Sequence, residues 1–170
     1  MSGSDKSRQE NWMLAGIFCA ALLFHAWGSS VGWNNVNLPG CEFRQTQTAI
    51  SAHFILREHN YSLAYPTPVL GKPWSIPMEF PLYQWTVAKL TEETGWTLTQ
   101  AGRAVSLLCF YLTLPALYLL LRRLGLAWAR ALMVLSFVLC CPLYIFYARA
   151  FLIETMAWMF GTWFLLGYVH

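Results

Sequence analysis

The chain has 170 residues, of which 57% are hydrophobic and only 11% charged, with a formal net charge of +3. Soluble domains carry roughly a quarter charged residues, so this composition excludes an ordinary soluble domain. Its Lys and Arg are dispersed without a basic stripe, which excludes a nucleic-acid-binding surface. Nine Trp, eight Tyr and eleven Phe suit the membrane–water interface, where an apolar ring and a polar edge are both satisfied.

In chain order, residues 1–11 form a short polar lead of mixed charge. Residues 12–31 are apolar apart from His25, Ser29 and Ser30, and their length matches the about 20 residues that a bilayer core requires. A cleaved secretory signal is the competing reading, with Ala26-Trp27-Gly28-Ser29-Ser30 as its nearest cleavage pattern. The weak basic lead favours a retained span.

Residues 32–102 are too long and too polar to cross a membrane. A helix is predicted from Thr46 to His59, with Ala49, Ile50, Ala52, Phe54 and Ile55 close to helical spacing. Asn60-Tyr61-Ser62 breaks it and matches an N-glycosylation triplet. Pro66, Pro68, Gly71, Pro73, Pro77 and Pro81 exclude a regular helix or central strand between them. A second helix is predicted from Pro81, a good first-turn residue, to Thr94, stopped by Gly95. Both read as amphipathic helices able to lie in the membrane interface. A third helix starts at Thr97 or Thr99 and runs into the next span.

Three further spans are predicted at residues 104–121, 127–147 with Pro142 inside, and 151–168. Arg122, Arg123 and Arg130 share one short connection, which the positive-inside rule makes cytoplasmic. The N-terminus is then cytoplasmic and the 32–102 loop extracytoplasmic, with Arg149 and Glu154 near the same outer face. The fold expected is all-α: polytopic transmembrane helices with a long extracytoplasmic loop carrying amphipathic interface helices. An apolar span running to His170 without a polar flank reads as the N-terminal part of one longer multispanning domain; a complete four-span protein is the alternative.

The residues that can carry chemistry concentrate in the loop and at the last span. Glu42, Arg44, Gln45 and Gln47 follow the first span. A carboxylate there can act as general base on a hydroxyl, and an Arg fork can hold phosphate; simple surface pairing is the plainer reading. Glu79 lies between Pro77 and Pro81, held in direction by its neighbours or placed as a helix-entry acid. Lys72 is either a headgroup contact or a solvated turn lysine. Arg149 and Glu154 border an apolar span, where an ionisable residue marks function by default, against snorkelling to the interface. Cys19, Cys109, Cys140 and Cys141 read as small hydrophobes in spans, with Cys41 alone in the loop. His53, Glu58 and His59 fit no ligand spacing, so no metal set is assigned.

Phe43-Arg44-Gln45-Thr46-Gln47-Thr48-Ala49, Pro66-x-Pro68-Val69-Leu70-Gly71-Lys72-Pro73-Trp74 and Glu79-Phe80-Pro81-Leu82-Tyr83-Gln84, in that order between the first and second spans, together resemble GT-C type membrane glycosyltransferases. The group is that of the protein mannosyltransferases and aminoarabinose transferases, glycosyltransferase family 39-like. The resemblance covers most of this chain and the start of a family protein. It implies an enzyme of the bacterial inner (plasma) membrane that moves a sugar from a polyprenyl-phosphate donor to a hydroxyl of a glycan, lipid or protein acceptor at the outer face. It implies Glu42 and Glu154 as catalytic carboxylates, although Gln45 or Gln47 also fits the place of the family's first-loop acid. Arg44, Lys72 or Arg149 would neutralise the leaving phosphate, with Glu79 and Tyr83 lining the substrate site and aromatics such as Trp74 and Trp85 stacking on sugar or packing lipid. No cofactor is certain, a divalent metal being open. The donor groove would need later spans, so these residues alone would be inactive. A transporter and a non-enzymatic multispanning membrane protein are the alternatives from other classes.

Overall fold

A computed structural model of the chain describes residues 3–35, 39–65, 67 and 79–169, with side chains from Gln9 onward. Lys72, Trp74 and most of the proline-rich stretch lie outside the described residues. Within them the chain is all-helical: α1 (Gly3–Ser30), α2 (Glu42–Glu58), α3 (Leu82–Thr94), α4 (Leu98–Arg123), α5 (Trp128–Cys140), α6 (Pro142–Arg149) and α7 (Glu154–Tyr168).

Several boundaries follow from local chemistry. Pro81 sits at the entry of α3, and Gly95 closes it at φ 71°, a left-handed turn that glycine adopts without a Cβ penalty. Thr97 opens α4 with a capping box: its hydroxyl accepts from the Gln100 amide, and the Gln100 side chain accepts from the Thr97 amide. Two otherwise orphaned amides are satisfied reciprocally, so the predicted third helix and second span form one continuous rod. Helix α2 begins at Glu42, four residues before the predicted start. The polar segment Glu42–Gln47 is therefore helical, and the buried stripe of α2 is Gln45, Gln47, Thr48, Ser51, Ala52 and Ile55, largely polar instead of the expected apolar set.

Two described helices, Gln9–Ser30 within α1 and Leu98–Arg123, are long and apolar enough to cross a membrane. The predicted span 127–147 is broken: α5 and α6 meet at an angle of 66°, and together they make a third crossing only if counted as one bent unit. The cause is Pro142. It occupies the first turn of α6 and leaves Cys141 extended at ψ 121°, as the residue before proline prefers. The predicted span 151–168 shortens to the 15 residues of α7. At 1.5 Å per residue that is about 22 Å, less than the roughly 30 Å hydrocarbon core. The Phe151–Ile153 turn stays out of the helix because the Ser106 hydroxyl bonds the carbonyls of Ala150 at 2.8 Å and Leu152 at 3.2 Å.

Helix α4 packs along α7, α1 along α5, and α2 against α3. One apolar cluster joins α1, α4, α5 and α6 through Ala21, Phe110, Leu114, Leu135, Leu139 and Ala148. A second joins α2 and α3 to α4 and the start of α7 through Ala52, Tyr83, Val87, Val105, Phe151 and Met156. Gly102 permits that second contact: a Cβ there would lie 2.3 Å from the Phe151 ring. Leu23, Phe137 and Phe164 face outward, each more than 70% exposed, an apolar surface of a kind that lipid tails would cover without penalty.

Arginines fasten the helix ends. Arg103, 1% exposed, donates to the carbonyls of Gly32, Trp33 and Asn35, the last at 2.7 Å. Arg149 donates to Gly28 and Val31. Arg103 ties down the turn that follows α1, and Arg149 satisfies carbonyls at the helix C-terminus and favours its dipole. Arg123 does the same for α7 through Leu166 and Val169. The end of α1, the starts of α4 and α7 and the end of α6 thus share one end of the bundle, and the ends of α4 and α7 share the other.

Candidate functional site

At the end where α1 finishes, one turn into α2, Arg44 lies between two carboxylates. Its Nη2 meets Glu79 Oε2 at 2.7 Å and its Nε lies 3.9 Å from Glu154 Oε1, while Nη1 donates to Gln47 Oε1 at 3.2 Å. Three separate stretches converge here: α2, the segment entering α3, and the first turn of α7. The trio carries one more carboxylate than cation. Arg44 is 36% exposed, Glu79 18% and Glu154 43%, so the layer opens to solvent on the Arg44–Glu154 side.

Glu79 is the fixed partner. Its Oε1 accepts from Gln84 Nε2 at 2.8 Å, and the Tyr65 hydroxyl donates to its carbonyl at 2.9 Å and accepts from its amide at 3.4 Å. Tyr65 and Gln84 are each 1% exposed. A charge-assisted pair at 2.7 Å with both ends further hydrogen-bonded holds its geometry. Glu154 is the loose partner: at 3.9 Å it attracts Arg44 without a hydrogen bond.

The other sequence-predicted residues fall around this layer. Gln45 and Gln47 are buried, 1% and 9% exposed, on the inner face of α2. Glu42 turns away from it. Its Oε1 accepts from the Gly40 amide at 3.0 Å, and it sits in the first turn of α2, where a helix N-terminus favours an anion. Hydrogen bonds from its own amide and from that of Gly40 hold its carboxyl below the usual value. Tyr83 is fully buried: its hydroxyl lies 2.8 Å from the Gly102 carbonyl, to which it donates, and 2.9 Å from Ser106 Oγ. Burial pushes its phenol far above the ordinary value, so it remains neutral and bolts α3 to α4 instead of facing a ligand. Arg149 lies at the same end, with its fork on the carbonyls of α1. Among the described residues no group of three or more His, Cys, Asp or Glu side chains is placed to hold a metal ion.

Tyr65, Gln84, Arg103 and Ser106 escape a reading of the sequence alone. Arg103 carries a signal, since an arginine at the head of an apolar helix needs acceptors; those acceptors, about 70 residues earlier, are visible only in three dimensions. No known family model matches the chain, and no curated protein and no solved structure matches it.

Proposed function

We propose that the chain belongs to a multispanning membrane glycosyltransferase of GT-C type, acting on a polyprenyl-phosphate-linked sugar at the outer face of a bacterial inner membrane. In this reading α1 runs outward from a cytoplasmic N-terminus, and residues 32–102 are extracytoplasmic. The observation that carries the proposal is Arg44 held rigidly by Glu79 and loosely by Glu154. Arg44 would meet the donor phosphate on the edge it shares with Glu154. An incoming phosphate can bond bidentately to an Arg fork and displaces the weaker partner. Glu154 is thereby released to accept the proton of the acceptor hydroxyl as general base. The hydroxyl oxygen attacks the anomeric carbon, the sugar–phosphate bond breaks, and the polyprenyl phosphate leaves with its negative charge against Arg44. Glu79 and Gln84 act as positioning residues.

The test is transfer of labelled sugar from a polyprenyl-phosphate donor by the full-length protein in proteoliposomes. Glu154→Gln is expected to lower kcat about 100-fold or more, and Arg44→Lys to raise KM and lower kcat together. Undiminished transfer in both correctly folded variants would remove the proposed roles, and no transfer by the unaltered protein would remove the reaction.

One observation favours a second reading, a transporter. The 66° break between α5 and α6 resembles the discontinuous helices that transporters place at a binding site. Solute uptake that survives Glu154→Gln, in protein that transfers no sugar, would support it.

A further inference from the structure

A pocket of about 220 Å³ lies beside the Arg44 layer, lined by Phe110, Tyr144, Tyr147, Glu154, Thr155 and Trp158. Four of its six walls are aromatic rings, and they are braced. Tyr144 and Trp158 stack with centroids 5.1 Å apart at 14°, Phe110 lies 5.9 Å from Trp158, and His25 backs Phe110 at 4.4 Å and 2°.

Two oxygens of the lining residues have no hydrogen-bond partner among the described residues. Glu154 Oε2 is covered although the side chain as a whole is 43% exposed, and Thr155 Oγ1 belongs to a residue 3% exposed; neither is hydrogen-bonded. Buried polar atoms are almost always paired, and a covered carboxylate oxygen without a donor is costly. Oε1 of the same carboxylate faces Arg44 at 3.9 Å, so Arg44 does not supply the missing donor. A ligand suited to this lining is small, offers hydrogen-bond donors to the carboxylate and the neighbouring hydroxyl, and tolerates the π-faces of four rings.

We propose that this pocket is a binding site for a primary ammonium group on an apolar or lipid stem. Such a group carries three N–H donors. It can bond Glu154 Oε2 and Thr155 Oγ1 together, neutralise the carboxylate, and present its positive charge to the aromatic faces, which attract cations electrostatically. A neutral hydroxyl would satisfy one oxygen but gain neither the charge pairing nor the ring attraction. A quaternary ammonium would gain the rings but leave both oxygens unpaired. The source is either a soluble amine or the headgroup of an aminolipid. The site shares Glu154 with the proposed reaction but does not require sugar transfer, and n-butylammonium binding is read without it.

The experiment titrates the full chain, in nanodiscs of phosphatidylglycerol, with n-butylammonium, n-butanol, tetramethylammonium and a methyl glycoside, read by calorimetry. Saturable binding of n-butylammonium is expected, with the other three at least about tenfold weaker, the scale of a lost charge-assisted hydrogen bond. Glu154→Gln should weaken it about tenfold or more and Thr155→Val about threefold, while near-UV circular dichroism stays unchanged. Trp158→Leu gives an independent loss that leaves both oxygens in place. Repeating the titration in phosphatidylethanolamine discs separates the sources: competition identifies the lipid headgroup, unchanged affinity a soluble amine. Equal binding of n-butanol, preference for the glycoside, or no effect of Glu154→Gln in folded protein overturns the proposal.

Discussion

Arg44 and Arg103 are the same side chain at the same end of one bundle, and they are used in opposite ways. Arg103 is sealed and spends its fork on three backbone carbonyls. Those acceptors neither titrate nor move independently, so the arrangement is a clamp. Arg44 is partly open and faces side-chain carboxylates, one at 2.7 Å and one at 3.9 Å. Its second partner can be exchanged for another anion at little cost. Burial and the kind of acceptor, more than the residue type, separate a structural arginine from one available to a ligand.

The sharpest way to break this comparison is to remove each fork. Arg103→Met removes the guanidinium donor from three carbonyls in the turn after α1, of which, among the described residues, Gly32 alone keeps a second donor, the Asn35 amide, and is expected to destabilise the folded protein by about 3 kcal/mol or more, read as a fall in thermal midpoint in detergent. A fall no larger than that of an exposed arginine would erase the distinction. Next in size is Gly102→Ala. Its methyl would meet the Phe151 ring at 2.3 Å, and overpacking of this kind costs about 2 kcal/mol. The additional loss of Arg44–Glu154 coupling in a double-mutant cycle would show that the Phe151 turn sets the position of Glu154. Arg44→Met should change stability by less than about 1 kcal/mol, because its pairs are partly solvated, while abolishing the donor binding that the proposed function assigns to it.

The smallest effect is on pH dependence, at an exposed pair remote from both regions. Lys89 donates to Glu92 at 2.8 Å, and that bond holds the Glu92 carboxyl below its usual value of 4.5. Near and below that pH the unfolded chain binds more protons at this site than the folded one. The contribution is therefore fully present above pH 4.5 and lost as the pH falls through the depressed folded value. Glu92→Gln should flatten the acid side of the thermal-midpoint profile slightly and leave neutral pH unchanged. A change confined to alkaline pH would contradict the assignment.

Features written in adjacent residues were legible before the structure. Pro81 and Gly95 mark the limits of α3, and Thr97 or Thr99 the start of α4, because each acts on amides and carbonyls within a turn of itself; the structure selects Thr97 through its pairing with Gln100. The start of α2 was not legible, since Cys41 offers no side-chain cap and Glu42–Gln47 carries a single apolar side chain, Phe43, too few for a helical period to show. Its buried polar stripe is possible because the Thr48 and Ser51 hydroxyls bond carbonyls of their own helix while α3 packs against it, and neither fact is written in residue spacing. The break at Cys141 was half legible: Pro142 was visible inside an apolar run, but proline in a span can also kink without ending a helix. Of the site, the identities of Arg44, Glu79 and Glu154 were readable as unusual charges. Their convergence was not, because sequence spacing cannot show which of Glu42, Glu79 and Glu154 folds back onto the arginine.

The bolt at Tyr83 has a consequence for how the protein is made. Its hydroxyl donates to the Gly102 carbonyl and lies against Ser106 Oγ, and Ser106 is in turn tied to the carbonyls of Ala150 and Leu152. The layer formed by α2 and α3 is synthesised early, yet the surface it docks on is finished only when the turn before α7 arrives. A nascent chain emerging through residue 140 can therefore close the Tyr83–Gly102 contact but lacks the Ala150 and Leu152 carbonyls that hold Ser106. The network around Tyr83 is completed last, by the turn that leads into α7.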